Sequence, residues 1–362
     1  MSPDGSFADI PDEIRRRVAG GERVALLFLD ALGLRFLHRH DDHPLLERLR
    51  ITPLRTQFPS TTTAHVTTIH SGLAVEDHGL YEWNVLEPDL GRIICPLRFT
   101  LAESKISDEL EGRLDPAALL PGPTLYQSLD APCFVLQPTA IAGSAYTRLA
   151  TRGAQVHGFE TPAQGLRTLT GLMAGRDEPA YALLYWDAID RAGHERGPDS
   201  PEFAAAAREA LDAIHDQLEH LHDVTVLLTA DHGQVAVSPE RVDYLDELWP
   251  ELEAMLSQPR PAGSSRDVFL HVREEHIETV LAELPARLND RADGARVLPA
   301  AALFDRIGPA LAARLGQVAV LPAPGRQAWL RSAPANERWF RGQHGGLDVT
   351  ETETYLAEVR AG

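Results

Sequence analysis

The sequence predicts an α/β protein whose central sheet is mostly parallel and flanked by helices. Two observations indicate this class. Three continuous apolar runs each lead into an aspartate, and an amphipathic helix lies between the second run and the third. Continuous apolar runs are typical of parallel strands that are buried on both faces, and a strand, a helix and a strand in succession form a parallel crossover.

Each predicted strand delivers an acidic residue to its carboxyl end. The runs and the aspartates that follow them are 24–29 with Asp30, 181–186 with Asp187 and Asp190, and 224–229 with Asp231. Open α/β sheets bind their ligands beyond the carboxyl ends of the strands. We therefore expect these side chains to meet at one edge of the sheet.

The helix between the second and third strands has a clear beginning. Ser200 is a favourable N-cap residue, and Pro201 suits the first helical position. Apolar residues then recur at steps of three and four positions, as they do on one face of a helix. These residues are Phe203, Ala207, Leu211, Ile214, Leu218 and Leu221.

A second group of elements follows a linker. Residues 259–265, which read Pro-Arg-Pro-Ala-Gly-Ser-Ser, have the composition of a connecting segment. Beyond them we predict strands at 268–272 and 318–321 and an amphipathic helix at 276–288.

These elements indicate a core with an insertion. We predict that 20–255 and 331–362 form the α/β core and that 260–330 form a small inserted α+β lobe. Residues 86–123, rich in proline and glycine, are expected to be irregular and to lie near the functional site.

Composition excludes several classes of partner. The formal net charge of −19 at pH 7 is unfavourable for wrapping a nucleic-acid polymer or lying on anionic lipid. The first residues lack the apolar run of a secretory signal, and no stretch approaches the ~18 apolar residues of a membrane span. The only cysteines, Cys95 and Cys133, fit a reducing compartment. We therefore predict a soluble cytoplasmic protein that acts on a small molecule, and its oligomeric state is left open.

Seven residues in five short segments are suited to hold metal ions. They are Asp30, Thr61, Asp190, His194, Asp231, His232 and His344. Aspartate oxygens and neutral histidine nitrogens are ligands that zinc accepts at ~2.0–2.2 Å. The set suffices for two four-coordinate ions, which together can clamp a nucleophile and a phosphoryl oxygen. The sequence therefore predicts two divalent cations, with zinc as the expected metal.

The charges of this set favour one kind of substrate. Two divalent ions carry four positive charges and the three aspartates carry three negative ones, so the site has one net positive charge. Ionisation of Thr61 would reduce that net charge to zero. A phosphodiester adds one negative charge, whereas a monoester adds about two and would need a further cation. Lysine is nearly absent, since Lys105 is the only one. Diesters and pyrophosphate bonds are therefore favoured, although an arginine could supply the missing charge.

Thr61 is the predicted nucleophile. Phe58-Pro59-Ser60 interrupts the preceding segment, and a short helix is predicted from Thr62 to Ser71, closed by Gly72. A hydroxyl at a helix N-terminus lies beside backbone N–H groups that stabilise negative charge and can bind phosphate. A metal ion would lower the pKa of this hydroxyl enough for attack on phosphorus.

The motifs resemble those of the nucleotide pyrophosphatase/phosphodiesterase family, which belongs to the alkaline phosphatase superfamily. FPSTTTAHVTTIHSG followed by DHGL is similar to the family's nucleophile segment. DRAGH resembles its D-x-x-G-H, TADHG its S-D-H-G-M, and QHGG its G-x-H-G. The matches occur in the family order over 24–84, 181–233 and 341–346.

This resemblance implies an alkaline-phosphatase-like core, zinc and a covalent phospho-threonine intermediate. It implies two ligand sets for the two zinc ions. They are Asp30, Thr61, Asp231 and His232 for one ion, and Asp190, His194 and His344 for the other.

Two departures from the family pattern leave alternatives open. The family's T-F-P-N-H reads Thr-Thr-Thr-Ala-His at 61–65, so the nucleophile can shift by one position to Thr62. The family also places an asparagine after H-G that stabilises the phosphoryl oxygen, and Asn84 stands close to that position. The backbone N–H of Thr62 is a second candidate donor. Trp83 is a candidate for stacking on the leaving group.

Three functional hypotheses follow. The first is hydrolysis of phosphodiester or pyrophosphate bonds in a small nucleotide-like substrate. The second keeps the same site for a phosphomonoesterase or a phosphonate hydrolase. The third is a catalytically inactive binding module, which the complete set of competent ligands disfavours.

Overall fold

The computed structural model describes residues 5–289, 294–333 and 339–359. An eight-stranded sheet forms the centre of the molecule. In spatial order its strands are Gly5–Ser6, Leu49–Arg55, Glu353–Val359, Thr225–Thr229, Arg23–Leu29, Ala180–Trp186, Cys133–Pro138 and Gln155–Phe159. Only Glu353–Val359 runs antiparallel to its two neighbours. The predicted α/β class with a mostly parallel sheet is confirmed.

The three predicted strands are direct neighbours in this sheet. Arg23–Leu29 lies in the middle and pairs in parallel with Thr225–Thr229 on one side and Ala180–Trp186 on the other. Because the three strands are parallel, their carboxyl ends lie at the same edge. This edge therefore carries the residues that follow each strand.

Helices cover both faces of the sheet. Alternate residues of the central strand point to opposite faces, as the pleat of a strand requires. Ala25, Leu27 and Leu29 belong to one buried cluster, while Val24, Leu26 and Phe28 belong to another. The longer helices in the first cluster are Pro162–Met173, Ala188–Arg196 and Pro201–Leu218, and those in the second are Ile10–Ala19 and Thr62–Ser71.

The predicted crossover helix begins where the sequence indicated. It spans Pro201–Leu218, and the hydroxyl of Ser200 accepts a hydrogen bond from the N–H of Phe203 at 3.2 Å. Its predicted apolar face is buried against the sheet. Truncating a buried leucine on such a face, for example Leu211, typically costs about 2–5 kcal/mol.

Shorter elements fill the connections. The short helices are Leu34–Leu37, Pro44–Glu47, Val75–His78, Pro116–Leu119, Leu125–Ser128, Thr139–Ala142, Ala145–Ala150, Leu245–Leu248, Leu252–Met255, Pro309–Arg314 and Val349–Thr352. Two small ribbons pair Val235–Ala236 with Gly342–Gln343, and Val242–Tyr244 with Gln327–Trp329. Among the described residues, no helix has both the length and the apolar character that crossing a membrane requires.

A second sheet lies within the predicted lobe. It is antiparallel, it packs with the helix Ile277–Asn289, and its strands in spatial order are Ala262–Gly263, Val268–Leu270, Val318–Leu321 and Arg296–Pro299. The domain limits themselves stay a prediction, and 290–293, 334–338 and 360–362 within them lie outside the described residues.

The segment predicted to be irregular contains a third sheet. Its antiparallel strands are Val85–Glu87, Arg92–Cys95 and Thr100–Leu101. The prediction of an irregular excursion at 86–123 was therefore wrong for its first half. The strands are too short for a periodic pattern to be visible among the prolines and glycines.

Three buried histidines lie on or beside the helix Thr62–Ser71. Burial lowers the pKa of His65 and His70 to about 4 and that of His78 to about 3. The ring of His70, for example, is hydrogen-bonded through Nδ1 to the Tyr126 hydroxyl at 2.6 Å. These side chains are neutral in the folded protein at physiological pH.

The lowered pKa of His70 predicts a pH-dependent stability. The unfolded chain takes up a proton near pH 6.5 and the folded chain does not, so the stabilisation is complete above pH 6.5 and is lost as the pH falls toward 4. Between pH 7 and pH 5 we expect this one group to remove about 2 kcal/mol from the free energy of unfolding. Urea titrations should show that His70→Gln loses less stability than the parent over this range. An equal loss of unfolding free energy in the parent and in His70→Gln would contradict the lowered pKa of His70.

Candidate active site

The carboxyl edge of the central sheet gathers six of the predicted ligands. Within each of two groups, the ligand-capable atoms lie within 4.8 Å of one another: Asp190, His194 and His344 in one, and Asp30, Asp190 and His232 in the other. Asp231 adjoins the second group, since its Oδ2 is 3.2 Å from Nε2 of His232. We refer to these six residues as the acid–histidine cluster.

The three histidines of the cluster are oriented in the same way. In each, Nδ1 donates to a backbone carbonyl: His194 to Gly342 at 2.8 Å, His232 to Gly233 at 3.1 Å and His344 to Ser60 at 2.9 Å. A carbonyl oxygen can only accept, so the proton is on Nδ1 and the Nε2 lone pair faces the carboxylates. This arrangement is typical of histidines that ligate a metal.

The three carboxylates are also oriented in the same way. One oxygen of each is held by protein donors: Asp30 Oδ2 by the Tyr185 hydroxyl, Asp190 Oδ1 by Gln234 Nε2 at 2.6 Å, and Asp231 Oδ1 by the N–H groups of Ala31 and His232, both at 3.0 Å. The other oxygen faces a histidine Nε2, at 3.7 Å from His232 for Asp30, 3.2 Å from His194 for Asp190 and 3.2 Å from His232 for Asp231. Each aspartate therefore presents one oxygen to the centre of the cluster.

These contacts fit a divalent cation. The oxygens and the histidine Nε2 atoms are all acceptors, and Asp231 Oδ2 is buried with no hydrogen-bond partner among the described residues. Acceptors this close repel one another unless a cation lies between them. Burial, together with the nearby Asp231 and Asp190, raises the pKa of Asp30 well above its usual range. Positive charge in the cluster would allow all three carboxylates to be ionised.

The histidines have the protonation state that ligation needs. Burial lowers the pKa of His232 to about 3, and burial with the neighbouring His232 lowers that of His344 to about 3. Both rings are therefore neutral at physiological pH and stack with centroids 3.6 Å apart. Neutral imidazole is the form that binds zinc.

Thr61 and Thr62 have different surroundings. Thr61 is the N-cap of the helix Thr62–Ser71, is only 2% exposed, and its hydroxyl donates to the carbonyl of Tyr81 at 2.9 Å. The hydroxyl of Thr62 is partly exposed and lies 3.2 Å from Nε2 of His232 and 3.5 Å from Oδ1 of Asp30. The predicted contact of Thr61 with the cluster is therefore made by Thr62, because the side chain of an N-cap residue turns back onto its own helix.

Asn84 and Trp83 lie beside the inserted segment. Asn84 is buried, and its amide donates to the carbonyl of Gly263 at 3.0 Å, while the N–H of Gly263 donates to the carbonyl of Asn84 at 2.7 Å. Trp83 is 37% exposed. The residue preceding it, Glu82, is buried and accepts a hydrogen bond from the Trp83 N–H. The 262–263 strand thus fixes the orientation of the Asn84 side chain.

The cluster has a buried side and an accessible side. The side chains of Asp30, Asp231 and His232 are at most 2% exposed, whereas Asp190, His194 and His344 are between 11% and 17% exposed. Phe340 packs on the ring of His194 with centroids 4.3 Å apart. A substrate would therefore approach the cluster from the side of Asp190 and His194.

Sequence reasoning missed two residues that orient aspartates of the cluster. Tyr185 was interpreted only as part of an apolar strand. In the sheet it lies opposite Phe28, which is two residues before Asp30 in the chain. Gln234 directly follows the Asp-His-Gly motif at 231–233, and this position was the only sequence signal of its role. Both residues contact their aspartates across chain separations that no local pattern encodes.

The fold and the acid–histidine cluster match what is expected for the alkaline phosphatase superfamily, with side chains suited to hold metal ions. The family model described as type I phosphodiesterase / nucleotide pyrophosphatase matches residues 24–347. This chain belongs to that family, which is part of the alkaline phosphatase superfamily.

Named members of this family are similar to part of this chain in sequence. Mouse ectonucleotide pyrophosphatase/phosphodiesterase family member 3 is 24% identical over 250 residues, which cover 66% of this chain and 27% of the relative. Venom phosphodiesterase 2 of Crotalus adamanteus is 26% identical over 224 residues, covering 59% of this chain and 26% of its own. The chain thus matches only about a quarter of the length of these relatives.

The fold is shared with a solved member of the family. Murine ectonucleotide pyrophosphatase/phosphodiesterase 5, solved as an inactive threonine-to-alanine variant in complex with AMP, superposes with a TM-score of 0.66 at 16% identity. The superposition covers 93% of this chain and 87% of that one. The expected alkaline-phosphatase-like architecture is therefore confirmed.

Proposed function

We propose that this protein hydrolyses phosphodiester or pyrophosphate bonds in small nucleotide-like substrates through a phospho-threonine intermediate on Thr62. The observation that carries the proposal is the position of the Thr62 hydroxyl beside Asp30 Oδ1 and His232 Nε2. This geometry supports Thr62 over the originally expected Thr61, whose hydroxyl is buried against the Tyr81 carbonyl. Two divalent cations, with zinc as the expected metal, and a cytoplasmic location are parts of the same proposal.

The residues of the cluster divide into two ligand sets. Asp30, Asp231 and His232 would hold one cation beside Thr62, while Asp190, His194 and His344 would hold the other. When bound, the cations would acidify the attacking hydroxyl and water and would neutralise charge on the phosphoryl oxygens.

The chain's own groups account for the two chemical steps. The Thr62 hydroxyl gives up its proton and its oxygen forms a bond to phosphorus as the bond to the leaving oxygen breaks. The leaving oxygen takes up a proton and departs as an alcohol or phosphate, and the phosphoryl group with its remaining substituent stays on Thr62. Water then cleaves the phospho-threonine bond and regenerates the hydroxyl. The first N–H groups of the helix Thr62–Ser71 lack intrahelical partners and are placed to donate to phosphoryl oxygens.

The charges around the cluster support a diester substrate. In the described part of the chain, the ion-pair contacts of Asp30, Asp190 and Asp231 are all with histidines, none with an arginine or lysine. Within those described ranges, these aspartates therefore hold no arginine or lysine that could pair with the second negative charge of a monoester. AMP in the structural neighbour further supports a nucleotide-like substrate.

The first test is a metal count combined with two model substrates. We expect about two divalent metals per chain and much faster hydrolysis of bis-p-nitrophenyl phosphate than of p-nitrophenyl phosphate. Chelator should remove the activity and lower the melting temperature, because bound ligands stabilise the folded state. A preference for the monoester would contradict the diester proposal, and a metal-free protein without turnover would support the inactive binding module.

A further inference from the structure

Gln234 occupies a close-fitting cradle between the two segments that carry Asp190, His194 and His344. The cradle is built by Gly193 on the helix Ala188–Arg196 and by Gly342 in the short ribbon before His344. A methyl group added to Gly193 would lie 2.1 Å from Gln234 Oε1, and one added to Gly342 would lie 2.4 Å from the same oxygen. A larger residue at either position would therefore displace the amide from its observed place.

The contacts of the amide determine its orientation. Nε2 donates to Asp190 twice, to the carboxylate Oδ1 at 2.6 Å and to the backbone carbonyl at 3.1 Å. The reverse orientation would place the amide oxygen against two acceptors, which is unfavourable. Oε1 is buried without a hydrogen-bond partner among the described residues, so the amide is held at the cost of an unsatisfied acceptor.

The donor acts on the oxygen of Asp190 that does not face His194. With Oδ1 engaged by Gln234, Oδ2 remains directed at Nε2 of His194, 3.2 Å away. Asp190 also belongs to both groups of ligand-capable atoms. Rotation of its carboxylate would therefore disturb both groups.

We propose that Gln234 is a positioning residue that fixes the Asp190 carboxylate for metal binding. This inference rests on the proposed metal-dependent function and assigns to Gln234 a role in metal affinity, separate from any contact with substrate. Donors behind a metal ligand typically contribute about 10- to 100-fold in affinity or activity.

The test compares Gln234→Met with a matched control. Methionine fills a similar volume but cannot donate to Asp190. Gln327→Met is the control, because Gln327 is also buried and makes two side-chain hydrogen bonds, with Ser265 and Ser238, neither of which belongs to the cluster. Zinc affinity of each metal-depleted protein is measured by competition with a chromophoric chelator, together with the absorption spectrum of the cobalt-loaded form.

We expect Gln234→Met to bind the weaker of two zinc ions about 10- to 100-fold less tightly and to change the cobalt spectrum. Gln327→Met should lose stability without either change. Parent-like affinity and spectrum in Gln234→Met would overturn the inference and leave the proposed function intact. A parent protein that binds no zinc or cobalt would overturn both. If Gln234→Met does not fold, Gln234→Leu makes the same comparison.

Discussion

Replacing Thr62 by alanine is expected to abolish turnover while both metal ions are retained. The substitution removes the hydroxyl that lies between Asp30 and His232 but leaves their side chains in place. Loss of a catalytic nucleophile typically lowers kcat by several orders of magnitude, so we expect at least about a 10³-fold loss. The measurement is hydrolysis of bis-p-nitrophenyl phosphate alongside a metal count.

Thr61→Ala is the matched control for this experiment. It removes the neighbouring hydroxyl, which caps the helix Thr62–Ser71 and donates to Tyr81. Loss of such a cap typically costs about 1 kcal/mol of stability, so the melting temperature should fall while kcat changes little. The opposite pattern, with an active Thr62→Ala and an inactive Thr61→Ala, would return the nucleophile to Thr61. Trapping the covalent phosphoryl group in Thr62→Ser would identify the attachment site directly.

The second large effect is expected from His344→Ala, which should lose about one metal per chain. His344 is held by the carbonyl of Ser60, and its Nε2 lies 3.9 Å from Oδ1 of Asp190. Removing this ring leaves Asp190 and His194 as a two-residue site, which binds a divalent ion weakly. We therefore expect roughly one metal by elemental analysis and a loss of most activity.

His271→Ala provides the comparison for a buried histidine outside the cluster. Its Nε2 contacts the carbonyl of Arg314 at 3.1 Å, and burial lowers its pKa, as for His344. Both variants should lose stability, but His271→Ala should retain two metals. Two tightly bound metals in His344→Ala would remove His344 from the ligand set.

Several features of the fold follow from local sequence patterns. The strands Arg23–Leu29 and Ala180–Trp186 extend only one residue beyond the predicted runs, because strands buried on both faces need continuous apolar side chains. The helix Thr62–Ser71 has the predicted limits, because its N-cap threonine and its closing glycine are both local signals.

Other parts of the fold have no such signal. The strand Glu353–Val359 lies inside the sheet and runs against its neighbours, although it comes last in the chain. The strands Leu49–Arg55, Cys133–Pro138 and Gln155–Phe159 were also not predicted. Leu49–Arg55 and Gln155–Phe159 lie toward the ends of the sheet and carry mostly exposed or partly exposed residues, so their apolar patterns are weaker than those of the central strands.

The sequence by itself determined which acidic residues meet and the sheet edge on which they lie. An aspartate after a buried parallel strand must lie at the carboxyl edge, and three such strands are enough to bring Asp30, Asp190 and Asp231 to one region. Only the tertiary structure decided which oxygen of each carboxylate faces the cluster and which of two adjacent threonines points toward it. Those orientations depend on Tyr185, Gln234 and the Tyr81 carbonyl, whose positions are set by packing between distant segments rather than by local periodicity.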